Sequence, residues 1–422
     1  MAEPLGRRFW SVWAGSSASY LAEGLLIGAL PVLAASLTLD ARLISLTDVF
    51  QQGGWLLLGL ASGVVADRVP RLRIMWIANV LRAVVATVFT AVVASGNATM
   101  PALFLLGFLL GLAAPFFDNA SGSVLPELVG QEQFLRANSL TQTALVLSGN
   151  MVGPMLGTVM YVLWPASPFA FAAVAFATGA IITFAVARRD PGTPAHTGDA
   201  SVLELLKEGL VALVRDRPLL TLAAATGVIN FAVTGAVAVM VLYVLQLMAL
   251  PESVYGVVIA AFAGGALLGA VLSGRLTKAL GERTIVQLCL GGFGLSLVVL
   301  GAFPQVGIAF AAVAFMGVFS MVWNITVNTY RQRVTPPALL GRVTSVYRMV
   351  SFIAMPLGAL VAGLLTHASG LQWTYAAGGL LLLITAAASI PALRSMPNLR
   401  SGAEARSGDG DDLQATSPTP GS

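Results

Sequence analysis

Twelve runs of about 20 mostly apolar residues, separated by short polar connections, leave this 422-residue chain few ways to fold. They fall at roughly 10–37, 43–66, 74–95, 101–121, 138–163 and 169–187, and then at roughly 217–248, 253–274, 284–303, 307–328, 343–368 and 372–393. Coiled as α-helices, runs of this length match the hydrocarbon core of a bilayer and satisfy their own backbone groups there. The chain is 57% hydrophobic and 10% charged, with a mean hydropathy of +0.85, whereas soluble domains carry about 25% charged residues. A globule of this composition would have no polar exterior. The run from Phe9 to Leu37 is too long for the apolar part of a signal peptide and is expected to stay as a membrane helix. The expected class is an all-α membrane protein of twelve transmembrane helices, with the lipid bilayer as its partner.

The cations orient the helices. With the N-terminus inside, the inner connections hold Arg7, Arg8, Arg68, Arg71, Arg73, Arg136, Arg188, Arg189, Lys207, Arg215, Arg217, Arg275, Lys278, Arg283, Arg331, Arg333 and Arg342, and the outer ones hold Arg42 alone. This asymmetry predicts that both termini are cytoplasmic. The same placement accounts for the net charge of +4 without nucleic acid as a partner. Near-exclusive use of Arg, with abundant Ala, Gly and Val, points to a GC-rich bacterial genome and so to the bacterial inner membrane. Cys289 is the only cysteine, and His196 and His367 have no partners at ligand spacing, so neither a disulfide nor a metal site is expected. No cofactor is expected either, and the chain is read as a monomer.

The longest internal break divides the chain into an N-terminal six-helix half (1–187), a cytoplasmic linker (188–216) and a C-terminal six-helix half (217–395). A tail (396–422) rich in Ser, Gly, Asp and Pro is expected to be disordered. The linker contains Pro191-Gly192-Thr193-Pro194 and an amphipathic stretch, Val202 to Val214. The halves echo one another. Ala66-Asp67-Arg68 after the second run answers Gly281-Glu282-Arg283 after the eighth, and Pro154 in the fifth run answers Pro356 in the eleventh. Two parallel six-helix pseudo-repeats form one large transporter architecture.

Three local motifs carry chemistry. The connection after the second run reads Gly63-Val64-Val65-Ala66-Asp67-Arg68-Val69-Pro70-Arg71. It resembles the loop signature of the major facilitator superfamily, Gly-x-x-x-Asp-Arg/Lys-x-Gly-Arg/Lys, at Gly63, Asp67, Arg68 and Arg71, with Pro70 in place of the second Gly. The resemblance implies a gating loop; an ordinary basic inner loop is the competing reading. In the fifth run, Gly149, Gly153, Pro154 and Gly157 resemble the antiporter motif of that superfamily's drug exporters, with Thr158 in place of the last Gly. Small residues one turn apart also serve plain helix packing. Leu125-Pro126-Glu127-Leu128-Val129, read as a loop, together with Arg136-Ala137-Asn138-Ser139-Leu140 and an acid in the first run, is similar to the macrolide- and siderophore-exporter branch. That resemblance implies efflux of small compounds.

Charged residues inside the runs are Glu23, Asp48, Arg82, Asp118 and Arg348. An ionisable group near the bilayer centre costs about 2.5–3.5 kcal/mol to insert and so faces a wet cavity or a partner. Glu23, in the middle of the first run, is the candidate to carry a coupling proton, with Asp48 as second candidate. Arg82 and Asp118 are expected to form a structural or gating ion pair, and Arg348 to snorkel or pair. Gln51, Gln52, Asn150, Asn230 and Asn324 are candidates to line the cavity, each also able to serve as glue between helices.

Together these features predict a secondary active transporter, a proton-coupled exporter of small amphiphilic compounds. An importer or uniporter on the same fold is the alternative, and a membrane sensor or assembly partner a remote one. No Gly-x-x-x-x-Gly-Lys-Ser/Thr loop supports an ATP-driven pump, and no nucleophile–His–acid set supports an enzyme.

Overall fold

The structure, a computed structural model, describes residues 5–189, 202–394 and 396, without the side chains of residues 60, 63, 64, 66, 67, 202–206, 337 and 338. The Pro191–Pro194 stretch of the linker and the tail beyond Met396 lie outside the described residues, as do the side chains of Gly63 and Asp67.

The first half comprises α1 (Arg7–Leu37), α2 (Ala41–Arg68), α3 (Arg71–Ala94), α4 (Met100–Leu128), α5 (Gln131–Leu163) and α6 (Ser167–Arg189). A short helix, α7 (Val202–Arg215), covers the amphipathic stretch. The second half comprises α8 (Arg217–Ala238), α9 (Val254–Leu280), α10 (Glu282–Ala302), α11 (Val306–Val334), α12 (Pro337–Ser369) and α13 (Leu371–Leu393). Among the described residues, eleven of these helices are long and apolar enough to cross a membrane. The twelfth, α2, is 28 residues long and lies between two of them.

The ends follow local chemistry. Asp40 caps α2 by accepting from the Arg42 backbone N–H, and Asp216 caps α8 by accepting from that of Leu219. Gly281 (φ 82°) and Gly370 (φ 91°) end α9 and α12 in a backbone conformation that side chains resist. Several helices outrun their apolar runs at the arginine-rich end. Helix α4 continues to Leu128, so Leu125-Pro126-Glu127-Leu128 is a helix end and not the expected loop. The α2–α3 connection shrinks to Val69-Pro70, and α11 takes in Arg331 and Arg333, both read as loop residues. Polar residues carry these extensions because helices remain favourable once they have left the hydrocarbon.

The outward surface is apolar, as a bilayer requires: Leu163 is 80% exposed and Val271 70%. Inside, polar tips find backbone acceptors. Tyr243 donates to the Leu300 carbonyl and Tyr375 to that of Ala236, each at 2.9 Å. Helix α7 docks on α12 through an Arg342–Glu208 ion pair, with Gly209 against the Arg342 carbonyl.

The halves meet at the end opposite the arginine-rich connections. There Ser45 of α2 packs on Gly363 of α12, and Gly256 of α9 on Pro154 and Thr158 of α5. Asp40 Oδ1 lies 3.7 Å from His367 Nδ1. That end of the molecule is sealed.

Candidate functional site

Helix α1 is held by its own glycines. A Cβ at Gly24 would strike the Gly149 and Ser148 carbonyls of α5, and one at Gly28 would strike Pro154. From α5, Gly153 lies against Gly24 and Gly157 against the Leu25 carbonyl. The antiporter-like residues thus form the α1–α5 crossing. Just before Pro154 the helix widens into a π-helical segment, Leu145–Val152, where the Gly153 N–H bonds to the Ser148 carbonyl. Proline supplies no N–H to the preceding turn, and its ring crowds the carbonyl four residues back. The π segment absorbs that misfit, and such segments recur at functional sites. Its location was not readable from the Gly-Pro motif alone.

The crossing places Glu23 beside the interior. Glu23 is half-buried, and no described residue makes an ion pair or side-chain hydrogen bond with it. Asp118 of α4 lies within electrostatic range of Glu23, Arg82 and Arg348. Its Oδ2 accepts from Trp55 Nε1 at 3.4 Å. Tyr20, one turn before Glu23, has its hydroxyl 3.4 Å from Ser121 Oγ of α4. Sequence reasoning found both acids but missed Tyr20, Trp55 and Ser121, which are uncharged and carry no periodic signal.

The expected Arg82–Asp118 ion pair does not form. Arg82 is 2% exposed, and its Nη1 and Nη2 have no hydrogen-bond partner among the described residues. Its guanidinium lies over the rings of Phe117, 5.1 Å away, and Phe176, 5.5 Å away. Ring faces take the cation in place of the carboxylate. Asp118 therefore meets Arg82 through the field and not through contact.

Asp48 lies elsewhere, one turn from Ser45 and within electrostatic range of Tyr255 of α9, at the sealed end. Gln51 is half-buried, and its carbonyl fills the space a Cβ would need at Gly111 of α4, making it part of the α2–α4 crossing. Gln52 is half-buried, and Asn150 is exposed within the π segment. Asn230 serves as glue: its Nδ2 donates to the Ser351 carbonyl at 3.0 Å. Asn324 is exposed and accepts from Asn328 Nδ2 at 2.6 Å.

A cavity of about 260 Å³ separates the halves below the seal, bounded by Trp55 and Asn119 from one half and by Arg348, Met349 and Phe352 from the other. Trp55 and Phe352 touch edge to face across it, with centroids 4.7 Å apart. Arg348 is three turns into α12, not one, because that helix starts earlier than its apolar run. It is exposed, with no ion-pair partner among the described residues. Nearby, Arg331 is 7% exposed, lies 4.6 Å over the Tyr347 ring and donates to Asn328.

At the arginine-rich end, Arg71 at the start of α3 forms an ion pair with Glu127 of α4. Two motifs read separately in the sequence are one contact. Arg68, at the end of α2, is exposed.

With twelve packed helices, two halves, two intramembrane acids and a cavity between the halves in place, comparison with known proteins is decisive. The family described as transmembrane secretion effector matches residues 4–408. The chain belongs to this family, within the major facilitator superfamily. It is a multi-pass membrane transporter and not an enzyme. Macrolide efflux protein A of Streptococcus pyogenes is 24% identical over 381 residues, covering 89% of this chain and 94% of that protein. Enterobactin exporter EntS of Escherichia coli O1:K1 / APEC is 27% identical over 364 residues, covering 84% of each. Among solved structures, a bacterial homologue of the iron transporter ferroportin in an inward-facing state superposes with a TM-score of 0.75 at 17% identity, over 93% of this chain and 100% of that one. A bacterial homologue of the lysosomal transporter Spinster, inward-facing and unoccupied, gives 0.68 at 14% identity, over 92% and 96%. At such identities the likeness speaks for the fold alone.

Proposed function

We propose that this member of the transmembrane secretion effector family is a proton-coupled exporter of small amphiphilic compounds, of the antibiotic, drug or siderophore kind, working by alternating access. Both termini face the cytoplasm, so the sealed end is the outer one. The observation that carries the reading is Glu23: an intramembrane carboxyl with no ion-pair or side-chain hydrogen-bond partner among the described residues, within electrostatic range of Asp118, whose partner Trp55 walls the aromatic-lined cavity. An unpaired acid at that depth has a reason to exchange a proton during the cycle. The cavity suits an apolar body with few polar groups, and the names of the two efflux relatives support outward transport of such molecules.

The test is accumulation of a panel of macrolides and siderophores in intact cells making the chain. Accumulation is expected to fall, and a protonophore to restore it. Glu23→Gln should abolish export while Glu23→Asp keeps part of it. A Glu23→Gln protein that folds and pumps as well as the wild type rules out the proton role of Glu23.

A further inference from the structure

Two grooves on the outer surface of the first half share one lining residue. The lower, of about 390 Å³, lies between the start of α1 and the end of α6. Its rim carries Arg7, Arg8 and Arg189, and its walls are Ile181, Ile182 and Ala185. The upper, of about 320 Å³, lies between α3 and α6 and is walled by Val80, Val84, Val88 and Ala177. Ile181 lines both.

Together the two grooves have the dimensions and polarity of one lipid. Ala177 lies twelve residues above Arg189 on α6, about 18 Å along the helix. One leaflet of hydrocarbon is about 15 Å deep, half of the core. Trp10, one turn above Arg7 and 41% exposed, marks the headgroup level as interfacial tryptophans do. The neighbouring Arg188 turns aside, with its guanidinium 5.8 Å from the Phe184 ring. Arg7 and Arg189, both exposed, remain on the rim where a phosphate would sit. A zwitterionic headgroup would bring its own cation to this basic rim, whereas an anionic one matches it.

We propose that this pair of grooves is a binding site for one anionic phospholipid of the leaflet that meets the arginine-rich face. Its phosphate lies between Arg7 and Arg189, and one acyl chain runs over Ile181 into the α3–α6 groove. The site does not depend on the direction of transport or on its coupling.

Native mass spectrometry of the purified full-length protein tests this, by titration with dioleoyl-phosphatidylglycerol and with dioleoyl-phosphatidylcholine, which share the same acyl chains. One phosphatidylglycerol is expected to bind about tenfold more tightly than phosphatidylcholine. Arg7→Gln with Arg189→Gln should bring the two lipids level, and the corresponding double lysine variant should keep most of the preference. Ile181→Trp, at the residue both grooves share, should weaken both lipids alike and needs no change of charge. Equal binding of the two lipids by the wild type overturns the proposal, as does an unchanged preference in the glutamine variant. Release of the bound phosphatidylglycerol by inorganic phosphate would leave only an anion pocket and also overturns it.

Discussion

Arg71 at the head of α3 binds Glu127 near the foot of α4, and the second half makes the same connection with the charges exchanged. There Glu282 at the head of α10 accepts from Arg333 at the foot of α11, at 3.0 and 2.5 Å. The repeat keeps the bond while reversing its sign, which assigns a clamping role to the position. Both partners of the first pair are largely shielded, so leaving one alone strands a desolvated charge. Arg71→Gln should cost about 1–3 kcal/mol, read as a lower Tm in detergent. The reversal Arg71→Glu with Glu127→Arg should recover most of it. A reversed pair no more stable than the single variant would show that each residue acts alone.

The α1–α5 crossing gives a matched comparison. A Cβ at Gly28 meets backbone atoms of Pro154, which cannot swing away, while one at Gly264 of α9 meets nothing within 4 Å. Gly28→Ala should therefore destabilise by about 1–3 kcal/mol, and Gly264→Ala should be neutral or slightly stabilising. Melting curves of the two variants side by side decide it; equal effects would contradict the close approach of α1 and α5.

Much of this was legible in the sequence because hydrocarbon imposes one rule on every span. The helix count and the acids Glu23 and Asp118 needed only hydropathy and the rarity of charge in lipid. Helix ends were less legible: α4 and α11 continue as polar helix past their apolar runs, which moved Glu127, Arg331 and Arg333 from loops into helices. Partners were least legible. Arg82 was matched with the nearest acid by charge, but the ring faces of Phe117 and Phe176 hold it. Only packing reveals that choice. Asn230 was left between two readings, cavity lining and glue between helices, and its bond to the Ser351 carbonyl is of the second kind.

The sealed end carries a titratable clasp. The Arg42 guanidinium bonds both Asp40 oxygens, Nε to Oδ1 at 3.1 Å and Nη2 to Oδ2 at 2.7 Å. That bond, helped by the Arg42 backbone N–H and opposed by partial burial, holds the Asp40 carboxyl down at about 2, below its ordinary 3.8. A depressed carboxyl contributes stability that is present above its unfolded pKa and lost as pH falls through the folded one. Asp40→Asn should thus lower the Tm at about pH 5, where the carboxylate is fully charged, with the gap closing from about pH 4 down to about pH 2. Because the pair is partly exposed, the gap should be small. A gap that widens as the pH falls below about 4 would contradict the assignment of the clasp to Asp40.

Arg82 separates stability from transport. Its charge is buried without a carboxylate of the described residues in contact, a state that hydrophobic replacement commonly leaves as stable or more so. Met is unbranched and long enough to fill the slot between Phe117 and Phe176. Arg82→Met should therefore keep or raise the Tm. It also removes the positive field that reaches Asp118 and Tyr20, so export measured by substrate accumulation should fall at least about tenfold if that field sets the charge state of the acids. Arg82→Lys keeps the charge on a thinner head and should retain part of the activity. A large drop in the Tm of Arg82→Met would assign the guanidinium to holding α3 against α4 and α6, and full export by that variant would remove it from the proposed proton coupling.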